Sequence, residues 1–300
     1  MRGLVVMISV ARAGGVTIHC PVDGKYAFYN SPYPAHHLST AIDIYPNREF
    51  DEVAPSPVDG VVELVRRVRS PRGRSFEDPG YDIVTLLRSL EDPRRIIKLL
   101  HIEPVIECGD TVEAGQELGR LLRSGYFGFG TSPHIHLEIR DPSDPLRARG
   151  GHPVKRLMEV VDARPTDELR GVVTRSIPEF SIIKMDDISS NGLPANVGGV
   201  SGLLDGGIPY YGWLGAHVND EPPTDNTVTL LKKPIAIIKN VLSNVCLADC
   251  LEFVVKVDGI AIQGISLHLS PRKEVEVKLI PLVLGSLKLE EDVEVSLTLE

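Results

Sequence analysis

No apolar run in these 300 residues approaches the ~18–20 residues that cross a bilayer as a helix, so no transmembrane segment is expected. Cysteine is scarce. Of the four, Cys20 and Cys108 stand alone, and Cys246 and Cys250 have no second pair with which to build a structural zinc site. Two ordinary thiols are the plain reading of that pair, with a disulfide open only in an oxidising compartment. Positive charge is short as well: a net charge of −9, carried mostly by residues 151–300, and a pI near 5.5 argue against nucleic acid as the main partner. The one basic run, Arg66, Arg67, Arg69, Arg72 and Arg74, reads as a solvated strand end and loop. Missing too is a His-Glu-x-x-His helix, the commoner frame of a metallopeptidase, and so is the hairpin lysine of a swinging-arm carrier domain.

What is present is an ordinary soluble composition, 42% hydrophobic and 24% charged, in a chain longer than the ~250 residues at which single cores stop growing. Two domains are expected, 1–155 and 165–300, with Pro142, Pro145, Gly150, Gly151, Pro153 and Pro165 punctuating the passage and Val154–Val161 read as a helical turn or two. In the first half short alternating runs recur, among them Ala41–Ile44, Gly60–Val65, Tyr81–Leu87, Arg95–Leu100 and His134–Ile139, each bounded by turn residues. They predict an all-β barrel or sandwich. Gly109 and Gly115 sit where two tight turns need positive φ. Apolar runs from Ile235–Ile238 to Val293–Leu299 predict a second β-rich, sandwich-like domain. The start, Met1-Arg2 followed by an apolar stretch and Ala11-Arg12-Ala13, reads either as a very short signal peptide or as a first strand running into Val16-Thr17-Ile18.

The chemistry gathers in the first half. On a strand, His134, His136 and Glu138 share one face and Ile135, Leu137 and Ile139 the other, so an apolar face seats the strand while two imidazoles project together. Two histidines on a solvated sheet face are the bland alternative. Asp43, flanked by Ile42 and Ile44, needs a cation if it is buried. His37 is an even number of residues before it and would face the same way on an extended strand, whereas His36 would face away. His101 ends an apolar strand at Leu99-Leu100. Neutral imidazoles and a carboxylate suit a catalytic zinc, which takes three protein ligands and keeps one position open.

In this order the His…Asp motif, the Pro-x-x-Gly-x-Val turn at Pro57–Val62, the lone His101, the Gly-Asp-x-Val-x-x-Gly-Gln segment at 109–116 and Ser-Pro-His-x-His-Leu-Glu resemble the lysostaphin-type zinc endopeptidases. That family cuts peptide cross-bridges in bacterial cell walls. The resemblance covers roughly residues 16–145 and implies a duplicated hybrid motif barrel, a peptide substrate and a cell-envelope or extracellular location. It implies Zn²⁺ held by His37, Asp43 and His136, with His101 and His134 as the catalytic pair. Ser39 stands where the family usually has its first histidine. Glu138 is a candidate to hold an imidazole's far nitrogen, and Tyr26, Tyr29, Tyr33 and Tyr126 are candidate groove walls with aromatic core as the alternative. A second reading keeps the fold and makes the chain a catalytically weak or inactive member acting as a binding or regulatory protein.

Overall fold

The computed structural model describes residues 5–73, 75–160, 164–185, 187–219 and 223–300. Met1–Leu4 of the ambiguous start, Arg74 of the basic run and Val161 lie outside them. Among the described residues every regular element is a strand except the helical turn Pro34–His37. The chain is all-β, and it separates into two compact units, Met1–Phe28 with Tyr33–Met158 and Tyr29–Pro32 with Glu159–Glu300.

The first unit is built on a seven-stranded antiparallel sheet, in the order Thr111–Val112, Gly60–Arg69, Tyr81–Ser89, Ile96–Leu100, Ile135–Arg140, Ala41–Tyr45, Lys25–Ala27. Its central register follows from alternation. Ile135 lies opposite Ile44, Leu137 opposite both Ile42 and Leu99, and Ile139 opposite Ile97, so one face is a continuous aliphatic layer, fully buried. Each such side chain contributes about 1.5–3 kcal/mol relative to exposure. The other face then carries the polar partners in the same rungs: His136 opposite Asp43 and Leu100, and Glu138 opposite Lys98. Both faces are buried, and a slip of one residue would turn the charged side chains into the aliphatic layer and away from their partners, which is why the register is firmly specified.

Two three-stranded sheets complete the unit. Val53–Pro55, Glu117–Leu121 and Ile102–Pro104 form one, with Glu117–Leu121 in the middle. The turns around it use Gly109 at φ +97° and Gly115 at φ +87°, as expected; a Cβ on Gly115 would also meet the Val5 carbonyl at 2.5 Å. In the other, Met7–Ala13 pairs with Val16–Pro21 and with Val154–Arg156. The Ala11–Ala13 stretch is thus strand, and the helical reading of Val154–Val161 gives way to a strand, because Val154 and Arg156 tuck inward against Ala13 and Ala11 while Lys155 faces out.

In the second unit a thirteen-stranded ladder contains a closed ring. Leu193–Val197, Thr227–Leu230, Lys233–Leu242, Val245–Cys250, Trp213–Val218 and Val200–Ile208 pair in turn, and Val200–Ile208 returns to Leu193–Val197. Where the sequence suggests a sandwich, hydrogen bonding closes these strands on themselves and leaves no edge among them. Cys246 and Cys250 lie on one strand, with Cα atoms about 13 Å apart at ~3.3 Å per residue, too far for a disulfide. Both are free, and burial pushes their thiols up to about 11 and, with Asp249 adding to it, about 12.

Candidate metal centre

His136 and Asp43, neighbours across two strands, meet at 2.9 Å between Nδ1 and Oδ1. The third member is His36, whose Nε2 stands 3.2 Å from Asp43 Oδ1 and 3.1 Å from His136 Nδ1. This corrects the expectation for His37, which is exposed. The parity argument assumed extended chain. Instead Pro34 starts a helical turn, closed by Leu38 N–H donating to the Pro34 carbonyl at 2.9 Å and Thr40 N–H to that of Ala35 at 2.8 Å. In a turn, neighbouring side chains diverge by ~100° rather than 180°, and His36 takes the inward direction.

Each imidazole has its far nitrogen anchored. His36 Nδ1–H donates to the Phe28 carbonyl at 2.7 Å and His134 Nδ1–H to that of Ser132 at 2.9 Å. His136 Nε2–H points to Glu138 Oε1 at 3.3 Å. With those nitrogens committed, His36 Nε2 and His136 Nδ1 are the ones turned toward Asp43, and each can offer a lone pair there once it carries no proton. His36, Asp43 and His136 are the group among the described residues whose donor atoms converge closely enough to hold a metal, all within 4.8 Å of one another. Their separations of 2.9, 3.1 and 3.2 Å nearly match the face of a tetrahedron, about 3.3 Å on edge, around a zinc with ligands at ~2.0–2.1 Å. The donor set fits zinc.

Electrostatics agree. Burial alone would raise Asp43, but the charges of His36 and His134 and hydrogen bonds from His136 and His36 hold it well below the usual carboxylate range. Burial would lower His136, yet its hydrogen bonds to Asp43 and Glu138 raise it to about 9, so without a metal a proton occupies the position between the donors. Burial drives His134 down to about 4, against the pull of Asp43, so it is neutral at pH 7.

His134 immediately precedes the strand Ile135–Arg140, with its Nε2 3.7 Å from Asp43 Oδ2. His101 lies beside it, ring centroids 5.1 Å apart, and Phe127 packs against both rings at 4.6 and 4.8 Å. His101 has φ +70°, a left-handed conformation that costs a non-glycine residue about 1 kcal/mol or more. Asp82 holds it there twice, accepting the His101 backbone N–H at 3.0 Å and Nδ1–H at 2.6 Å. Burial raises Asp82, but His101 and hydrogen bonds from Ser124 and Ile83 bring it down to about 2. Sequence reasoning missed Asp82. The signal was there: an acid inside the apolar strand Tyr81–Ser89 raises the same question as Asp43.

Behind Glu138 stands a buried ionic chain, with Lys98 Nζ donating to Glu138 at 2.7 Å and Arg140 donating to it at 3.0 Å. Beside the centre a cleft of about 310 Å³ is lined by Tyr33, Tyr126, His101 and His136 among others. Tyr33 donates its hydroxyl to the Tyr126 carbonyl at 3.0 Å, and both side chains line this cleft. Tyr26 and Tyr29 do not. Tyr26 is core of the first unit, and Tyr29 packs against Trp213 in the second.

Residues 19–156 match a family model described as "Domain of unknown function (DUF8155) N-terminal domain". No curated protein matches the chain. Among solved structures the chain is similar to a mutant catalytic domain of the prophage-encoded M23 protein EnpA from Enterococcus faecalis, at 24% identity over 38% of this chain and 72% of that one, TM-score 0.25. It is also similar to lysostaphin, at 14% identity over 76% of this chain and 94% of that one, TM-score 0.27. Superpositions this loose leave the chemistry to be argued from the residues themselves.

Proposed function

We propose that the first unit is a zinc-dependent endopeptidase that hydrolyses peptide bonds, with His36, Asp43 and His136 as metal ligands and His101 and His134 as the catalytic pair. The motif resemblance points to cell-wall cross-bridges or Gly-rich peptides as substrates. The observation that carries the reading is the buried triangle of two imidazole nitrogens and one carboxylate, with each imidazole oriented by a further hydrogen bond.

When bound, zinc would polarise the scissile carbonyl and lower the pKa of water toward ~7. His134, neutral and with Nδ1–H committed to Ser132, offers Nε2 to take the attacking water's proton. Asp43 lies close enough to stabilise the imidazolium that results, which can hand the proton to the leaving amine. His101, its ring fixed by the Asp82 carboxylate, is the member of the pair assigned to steady the developing oxyanion. Phe127 packs on both rings and keeps water from their faces.

The test is metal analysis of the purified chain together with digestion of peptidoglycan and oligoglycine peptides. About one zinc per chain with cleavage supports the reading. Zinc with no cleavage of any peptide favours the binding or regulatory alternative, and absence of zinc at saturating supply removes the metal centre.

A further inference from the structure

The register of the large sheet lays a second pattern beside the metal centre. Asp43 lies opposite His136, His136 opposite Leu100, and, from the pairing of Thr85 with Leu99, Leu100 stands abreast of Val84, which lies opposite Arg66. One row across five strands therefore runs from the ligands through two aliphatic residues to a cation. Alternation puts Val68 on the same side of its strand as Arg66, and Leu146 packs on this aliphatic cluster. Arg66, Val68, Val84, Leu100 and Leu146 all line the cleft that reaches His101 and His136.

The charges in that cleft are not equivalent. Lys98 is committed to Glu138 at 2.7 Å, and Asp82 to His101 at 2.6 Å. Arg66, exposed, forms no ion pair among the described residues, which leaves one uncompensated guanidinium at the end of an aliphatic floor. A guanidinium fork matches a carboxylate, and the floor matches a branched side chain. A glycine would leave that floor wet. At ~4.8 Å between strands, Arg66 stands about 14 Å from His136, the span of about four extended residues. A cleft of about 310 Å³ is at the small end for ligand sites and takes one or two side chains.

We infer that the cleft selects a peptide with an aliphatic side chain next to the scissile bond, seated on Val84 and Leu100, and a carboxylate within about four residues of it, met by Arg66. This rests on the proposed function, and it narrows the substrate class away from plain glycine chains.

Equilibrium binding separates the two claims, since it needs no turnover. Dye-labelled hexapeptides carrying Leu and Glu would be titrated by fluorescence anisotropy into the zinc-supplied full chain, in the His134→Ala background, beside versions with Gly for Leu and Gln for Glu. The Leu/Glu peptide should bind about tenfold or more tighter than the Gly version, and about fivefold tighter than the Gln version. Arg66→Gln should erase the Glu/Gln difference and keep the Leu/Gly difference. Equal or tighter binding of the Gly peptide, no measurable binding of any peptide, or a Glu/Gln difference that survives Arg66→Gln overturns the inference. If the peptides bind with this preference but wild-type protein leaves them uncut, the hydrolytic reading falls and the inference stands.

Discussion

In the second unit His217 Nε2 stands 3.2 Å from Asp205 Oδ2, both buried on neighbouring strands of the closed ring. In the first, His136 stands 2.9 Å from Asp43, equally buried and also on neighbouring strands. As pairs the two are nearly indistinguishable. The difference lies around them. Asp43 gathers a second imidazole from His36 and a third from His134, and an open cleft reaches His136. Asp205 joins no group of three converging donors among the described residues, and Tyr29 packs on the His217 ring. A buried His–Asp pair is therefore ordinary ring architecture. What sets Asp43 apart is the convergence of several donor atoms beside an open cleft.

That contrast can be broken most directly at the ligands. His36→Ala and Asp43→Ala should each lose the zinc and with it all measurable turnover, while His37→Ala keeps both; a full equivalent of zinc in His36→Ala would dissolve the triangle. His134→Ala should retain zinc and lower kcat by about 10²–10⁴-fold, and unchanged kcat would take that imidazole out of the reaction. Asp82→Asn removes the charge behind His101 and keeps the shape, so turnover should fall about 10–100-fold with metal content intact. A drop confined to thermal stability would reduce Asp82 to a structural role.

The next effect is one of pH. His136 is raised from 6.5 to about 9 in the metal-free protein, so its contribution to stability is full below pH 6.5 and is lost as pH rises toward 9. Tm of the metal-free chain should fall across that window. Zinc must displace the same proton, so its affinity should climb as pH rises through it; a flat zinc titration between pH 6.5 and 9 would contradict the protonated centre. The smallest functional effect is expected in the second unit. His217→Gln should cost about 1–3 kcal/mol of stability by leaving a buried acceptor poorly matched, with no change in zinc or turnover.

Legibility divided along the same line. Short-range alternation was readable: Ile135, Leu137 and Ile139 against His136 and Glu138 predicts both the aliphatic layer and the polar one, and Gly109 and Gly115 predict their own turns. His36 was misjudged in favour of His37 because face parity holds only for extended chain, and the cue to a turn was Pro34. Asp82 went unassigned because its partner is set by pairing between strands, and His101 reveals nothing of its left-handed backbone in the sequence. Closure of the ring in the second unit depends on Leu193–Val197 finding two partners, which no local pattern records.

The backbone at residue 101 has a consequence of its own. With φ at +70°, glycine would sit there with less backbone strain than histidine, yet it would strip the buried Asp82 carboxylate of its imidazole, so the Asp82 contact is what keeps a strained residue in place. The relief of strain at this position would therefore register as stability only after a second change had made Asp82 neutral or apolar.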